Sequence, residues 1–348
     1  YKETSAMLTQ WKQEEELGFL NEVSCVPLQQ GLRHLQKAFT NFFAGRAKYP
    51  NFKKKRHGGA AEFTKSAFKW KEGALSLAKC AKPLPIRWSR QLPEGAEPST
   101  VTVKLDPSGR WFVSLLVDVD IAPLPQSPNQ VGIDLGVTSL MALSDGRKVA
   151  NPKTFRNKHK RLKKAQKALA RKVKGSNNRH KARLRVARIQ AEIADARKDF
   201  LHKLTTQLVR DNQVIAVEDL NVKNMVKNPK LALSITDASW GELVQQLEYK
   251  SAWYGRELVK IDRWFPSSKQ CSSCGHIAEK MPLNIRAWKC PECGYNHDRD
   301  INAAVNVLAA GLAVLVCGAT VRPEQSKSVK AGAMKQKPLR VTGESPTL

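Results

Sequence analysis

The sequence predicts an α+β multidomain protein: a helical segment, a small antiparallel β barrel or sheet, and an α/β domain that carries a cysteine-rich insert. Three observations carry this expectation. Apolar residues recur at helical spacing over residues 1–47, then give way over 60–130 to short β-rich runs separated by Pro and Gly. Beyond Pro123, Pro125 and Pro128, apolar strands alternate with helical segments. Two Cys-x-x-Cys pairs then interrupt that alternation.

The elements follow in order. Leu28, Leu32, Leu35, Phe39 and Phe42 or Phe43 share one face of the first helical segment. A basic loop follows, Pro50-Asn51-Phe52-Lys53-Lys54-Lys55-Arg56. In the β-rich part, 100–103 and 111–117 read as strands, with Asp106-Pro107-Ser108-Gly109 as the hairpin turn. Val131-Gly132-Ile133-Asp134 opens the α/β part, 138–143 is a second strand, and Ser144-Asp145-Gly146 is a turn. A helical hairpin covers 153–205. Leu162, Ala165, Leu169 and Val173 mark its first arm, and Gly175-Ser176-Asn177-Asn178 its turn. Ile189, Ile193, Ala196, Phe200 and Leu204 mark its second arm. A strand at 214–217, a helix at 240–253, a strand at 258–261 and a helix at 302–316 complete the pattern. The tail from 319 to 348 is polar, small and basic without periodicity, and reads as disordered.

Over 348 residues the chain carries 59 Lys+Arg against 31 Asp+Glu, a net charge of +28. At 41% hydrophobic residues it has the apolar mass for a core, which excludes global disorder. No uninterrupted apolar run reaches the roughly 18 to 20 residues of a bilayer span. The longest, 307–317, is broken by Gly311. No signal peptide is visible in the sequence, which opens on Tyr1 and not on Met. A cytoplasmic protein is expected, with no membrane and no small-molecule partner. The excess charge calls for a polyanion. Nucleic acid fits best, because the basic residues spread through folded sequence and are not confined to one amphipathic helix.

Residues 151–200 hold 18 Lys/Arg and 3 Asp/Glu, more than half of the whole excess. A solvated face with charge of one sign repels itself, so the hairpin reads as a phosphate-tracking surface. Lys160, Arg161, Lys163, Lys164, Arg171 and Lys172 are its candidate contacts, and Lys53, Lys54, Lys55 and Arg56 are those of the basic loop.

Cys271-x-x-Cys274 and Cys290-x-x-Cys293 have the spacing of a four-cysteine zinc ribbon. Gly275 and Gly294 follow the second cysteine of each pair and permit the tight knuckle turn. Four thiolates leave no open position, so the Zn2+ is expected to be structural. Cys25, Cys80 and Cys317 stand alone and read as small buried hydrophobes.

Three acids sit at the ends of three elements. Asp134 closes an apolar strand, where a carboxylate is costly unless paired or metal-bound. A turn-forming role is the plain alternative. Gly136 removes a side chain where a substrate phosphate would approach. Glu218 ends the strand at 214–217 and is followed by Asp219, and strand alternation does not say which acid faces the site. Asp300 lies at a helix N-terminus, where simple capping is the alternative. Asn302 and Asn306 share a face of that helix. Together the acids suggest a two-metal site for Mg2+, with Mn2+ as the alternative, suited to phosphodiester hydrolysis. A basic nucleic-acid binder with such acids is a nuclease candidate.

Gly132-Ile133-Asp134-Leu135-Gly136, Val217-Glu218-Asp219-Leu220, the four-cysteine ribbon and Asp298-Arg299-Asp300-Ile301-Asn302-Ala303-Ala304 occur in that order. In these motifs the chain resembles TnpB, the OrfB-type protein of insertion sequences and a relative of the type V CRISPR effectors. The resemblance implies an RNA-guided DNA endonuclease whose guide RNA, made from the transposon end, pairs with target double-stranded DNA beside a short flanking motif. It implies a split RuvC domain of RNase H-like fold, with Asp134, Glu218 and Asp300 as catalytic acids and Asp298 as a neighbour. It divides the chain into a helical recognition segment (1–57), a wedge β-barrel (58–127) and a RuvC-like nuclease (128–265). A zinc-ribbon insert that binds target nucleic acid (266–296) and the C-terminal RuvC-like part (297–318) follow. It also implies a strand and first helices ahead of the segment that begins at Tyr1. Two other functions fit such a core. One is a DNA strand-transfer transposase, although no helix-turn-helix pattern is visible for end recognition. The other is a nuclease-inactive RNA-guided repressor, for which loss of an acid would be the signature.

Overall fold

The computed structural model describes residues 1–52, 58–282 and 284–317. Lys53, Lys54, Lys55, Arg56 and the 319–348 tail lie outside the described residues, as does the side chain of Cys317. Two compact units divide the described chain: Tyr1–Asp120 with Ala165–Ala191, and Ile121–Lys164 with Glu192–Cys317.

In the first unit, α1 (Lys2–Trp11) and a 3-10 segment (Glu15–Asn21) precede α2 (Cys25–Phe43), whose N-terminus is capped by Ser24 Oγ. The expected apolar face of α2 is only partly buried. Val26, near its start, joins the β core, whereas Leu35 is 46% and Phe43 79% exposed. Phe39, Phe42, Phe43 and Tyr49 pack on one another at its far end instead.

Strands β1 (Gly59–Thr64), β2 (Phe68–Lys71), β3 (Ala74–Leu77), β4 (Pro98–Leu105) and β5 (Trp111–Val117) follow. Asp106 makes the β4–β5 turn as predicted, its Oδ1 accepting from the N–H groups of Ser108 and Arg110, each at 2.9 Å. The described strands are antiparallel throughout but form no closed barrel. β1-β4-β5 is one sheet, and the four-residue strands β2 and β3 pair only with each other. Phe63, Leu75, Val101 and Leu115 are the centre of their shared core.

The second unit is built on a five-stranded sheet. It contains β6 (Gln130–Leu135), β7 (Ser139–Leu143), β8 (Lys148–Ala150), β9 (Val214–Glu218) and β10 (Glu257–Ile261). The order is β10-β9-β6-β7-β8, with β10, β9 and β6 parallel and β7 and β8 antiparallel. The parallel strands are apolar on both faces because helices cover both. Between β8 and β9 run α3 (Thr154–Ala170) and α4 (Asn177–Asp211), the basic hairpin. Leu162 and Ala165 are buried as predicted, but Val173, beside the turn, is 76% exposed. The short helices α5 (Val222–Met225) and α6 (Ala232–Ala238) lead into α7 (Trp240–Tyr254). After β10 come β11 (Ala287–Lys289), β12 (Asn296–Asp298) and the last helix, α8 (Arg299–Cys317).

Side chains alternate across the sheet. Val131, Ile133, Leu135, Ile215 and Val217 pack with Leu201 and Leu208 of α4 and Leu243 and Leu247 of α7. Ala216 and Ile261 pack on the opposite face with Val307 of α8. Gly132 brings α8 onto that face: a Cβ there would lie 2.1 Å from the Ala304 carbonyl oxygen. With a mean hydropathy of 1.5 over Arg299–Val316, α8 is apolar and long enough to cross a membrane by those measures alone. Counting only uninterrupted apolar residues missed this, because Asp300, Asn302 and Asn306 break the run. Its small residues Ala303 and Ala304 are fully covered by the sheet.

Candidate active site

Strand alternation places the acids. Residues two apart point to the same face of a strand. Gly132 and Ala216 meet α8, so Asp134 and Glu218 emerge on the α8 side, one residue beyond the paired Ile133 and Val217. Asp300, in the first turn of α8, comes to the same place. Asp134 feels the other two carboxylates. Burial is the first cause, and the charges of Glu218 and Asp300 follow, that push Asp134 up to about 7 from 3.8. Arg299 and Arg286 pull the other way without cancelling it.

Each remaining acid has its own partners. Glu218 Oε1 accepts from Ser267 Oγ at 2.6 Å. Asp219 points elsewhere, to Arg263 at 2.5 Å. Asp298 accepts from the backbone N–H of Asp300 and Ile301, both at 3.1 Å, so the helix cap is Asp298 and the Asp300 carboxylate is left for other contacts. Asp300 receives Arg286 at 3.1 Å and Lys148 at 3.5 Å, and Lys148 also holds Asp298 at 2.7 Å. Lys148 was not singled out in the sequence. It lies on β8, opposite Ala142, which itself lies opposite Asp134, and a three-residue edge strand leaves no periodic signal.

One expectation changes. Gly136 does not open space for a phosphate, because a Cβ there would lie 2.8 Å from the Ser139 carbonyl oxygen; its bareness serves the β6–β7 turn. Asn302 and Asn306 share a face as expected, and that face meets the loop at the base of the cysteine insert. Asn306 donates to the carbonyls of Ser267 (2.8 Å) and Gln270 (2.7 Å). Asn302 donates to Gln270 (2.7 Å) and accepts from the Ser272 N–H (2.9 Å).

The four cysteine sulfurs of Cys271, Cys274, Cys290 and Cys293 all lie within 4.8 Å of one another. The two knuckles are alike: Gly275 N–H donates to Cys271 O at 2.9 Å, and Gly294 N–H to Cys290 O at 3.0 Å. Both glycines have positive φ, 82° and 72°. His297, absent from the sequence reading, places Nε2 3.0 Å from Cys271 Sγ and stacks on Trp288. Cys25 and Cys80 are exposed, not buried: one opens α2 and the other follows β3 in a turn.

A family profile described as "Probable transposase" matches residues 112–229, and one described as "Cas12f1-like, TNB domain" matches 240–307. A Streptomyces pristinaespiralis protein provisionally named an RNA-guided DNA endonuclease is 59% identical over the whole of this chain and 87% of its own length. The chain belongs to the TnpB family. An Escherichia coli K12 relative, InsQ, under the same provisional description, is 33% identical over 92% of this chain and 83% of its own. A solved Cas12f1–sgRNA–target DNA complex aligns with 72% of this chain and 59% of its own at 18% identity and a TM-score of 0.46.

In this TnpB-family chain the candidate basic contacts of the hairpin, Lys160, Arg161, Lys163, Lys164, Arg171 and Lys172, are all exposed. Arg161 is tied to Glu192 at 2.9 Å. The start of α3 is held from below by the buried carboxylate of Asp237, which accepts from the N–H groups of Phe155 (2.9 Å) and Arg156 (3.2 Å).

Proposed function

We propose that this protein is an RNA-guided DNA endonuclease that hydrolyses phosphodiester bonds at the Asp134–Glu218–Asp300 cluster. The convergence of three carboxylates from β6, β9 and α8 on one face of the sheet carries this reading, and the names of its two bacterial relatives support it. The sheet order, with α8 laid on the strand that carries Asp134, fits a RuvC domain of RNase H-like type spanning 128–265 and 297–318. The antiparallel sheets of the first unit would serve as the wedge, and the basic hairpin would follow nucleic-acid backbone.

Asp134, Glu218 and Asp300 offer only hard oxygen donors, and their crowding favours a bound cation over a bare pair of charges. Two Mg2+ ions, or Mn2+, would supply there an activated water and a stabilised leaving oxygen. Ser267 holds the Glu218 carboxylate in one orientation. Asp298 caps α8, so the Asp300 carboxylate is not committed to the helix N-terminus. Cys271, Cys274, Cys290 and Cys293 fit Zn2+ with no position left open, which gives it a structural role. Guide RNA and target DNA meet in the cytoplasm, where the protein would act.

The purified chain should carry a guide RNA and cut matched double-stranded DNA only with Mg2+. Asp300→Ala should abolish cutting while Asp298→Ala only weakens it; the reverse pattern would overturn the assignment of the third acid. The transposase description of the matching profile keeps strand transfer as the second reading. Joining of DNA ends by the purified chain without RNA would favour it.

A further inference from the structure

Trp264 is 84% exposed, on the loop between β10 and the first cysteine pair. Every neighbour on that loop is tied down. Phe265 packs against Ala216, Ile261 and Val307 beneath α8. Arg263 donates to Asp219 at 2.5 Å, and Ser267 donates to Glu218 at 2.6 Å. The Trp264 N–H donates to Asp262 Oδ1 at 2.7 Å, and the Phe265 N–H to the Asp262 carbonyl at 3.2 Å. The indole is therefore held outward on a well-anchored turn, bracketed by two residues that grip adjacent acids. Three residues of chain from Ser267 span at most about 11 Å, so the ring stands a few nucleotides or less from the carboxylates.

The same loop packs a partly buried Phe265 against the cluster beneath α8, so the outward ring at 264 is not a failure to find cover. Its flanking residues Asp262 and Arg263 are exposed and charged, so no broad apolar patch surrounds it of the kind a protein interface uses. An isolated, rigid aromatic face beside a phosphodiester site in a chain of net charge +28 matches the stacking platforms that hold single strands. We propose that Trp264 stacks on an unpaired nucleobase of the strand threaded into the acid cluster, beside the bond to be cut. It takes the π-face of the base, so it holds the strand without regard to sequence. This inference rests on the endonuclease reading above.

The test uses the full chain with its guide RNA and single-stranded DNA carrying 2-aminopurine at successive positions, with Ca2+ replacing Mg2+. The parent should quench the fluorescence strongly at one position. Trp264→Ala should lose that quench and bind the strand about tenfold more weakly, while Trp264→Phe keeps most of both. Trp264→Leu keeps apolar bulk without a π-face and gives the same reading if the alanine variant does not fold. Equal quenching in Trp264→Ala and the parent, or equal quenching of a fully paired duplex, overturns the proposal. Quenching by the parent without any cutting in Mg2+ would sink the endonuclease reading and leave the stacking site standing. Cutting in Mg2+ with no quenching at any position overturns the stacking site alone.

Discussion

The cysteine cluster and the acid cluster are both groups of potential metal ligands, and they are assembled in opposite ways. The cysteines come from 23 consecutive positions, 271 to 293, and each knuckle closes through its own backbone hydrogen bond. The acids come from positions 134, 218 and 300, on two strands and a helix, and nothing local brings them together. The cysteine set has one imidazole beside it, His297, whose Nε2 lies 3.0 Å from Cys271 Sγ. The acid set is hemmed by Lys148 and Arg286, which hold the exposed side of Asp300 while Asp134 stays buried. A short-range motif builds its site wherever it folds. A long-range site depends on the register of the sheet and the seat of one helix.

The largest effect that would test this contrast is at Asp134. Asp134→Ala should lower cutting on the order of a thousandfold or more, as measured on matched DNA, with zinc content unchanged. Zinc lost together with activity would mean the two clusters are one unit. Next, Cys290→Ser or chelation should unfold the 271–293 region while the β9 and β10 amides stay protected in hydrogen exchange. Cutting should fall about 10- to 100-fold at the same time, because Ser267, the partner of Glu218, is anchored to α8 beside the insert. Loss of protection across the central sheet would break the distinction.

A third effect concerns pH. Asp134 is pushed up to about 7, so the folded chain keeps a proton that the unfolded chain, near 3.8, has already released. Folded protein binds more protons than unfolded protein between those values, so metal-free stability falls as pH rises through that window. The melting temperature without metal should drop between about pH 5 and about pH 8. Asp134→Asn should flatten that slope, and Mg2+ should restore stability at the upper end by mass action. A metal-free melting temperature that rises over this range would show that Asp134 is not crowded as described.

The smallest effect is at Asn306, buried on α8 and donating to two loop carbonyls. Asn306→Ala leaves the Ser267 carbonyl without this donor and should cost about 1–3 kcal/mol by chemical denaturation. It should also lower cutting modestly through Ser267 and Glu218. An unchanged cutting rate would show that the loop holds its position without α8.

Much of this was legible in the sequence because it is periodic or local. The β4–β5 turn, the helical hairpin, the strands that end in Asp134 and Glu218 and the four-cysteine spacing all rest on signals within a few residues. What failed was local reasoning about distant partners. Gly136 faces its own turn, and Lys148 joined the acids from an edge strand too short to predict. Cys25 and Cys80 are exposed because residue type alone does not fix burial.

The sequence by itself determined the charge, the knuckles and the placement of carboxylates at strand ends, since each follows from residue type and short spacing. Only the tertiary structure decided which acids face one another. A strand buried on both faces carries no sign of which side will meet a given helix. Gly132 and Ala216 supplied that side here by letting α8 approach, and Asp298, by capping the helix, left Asp300 to complete the cluster.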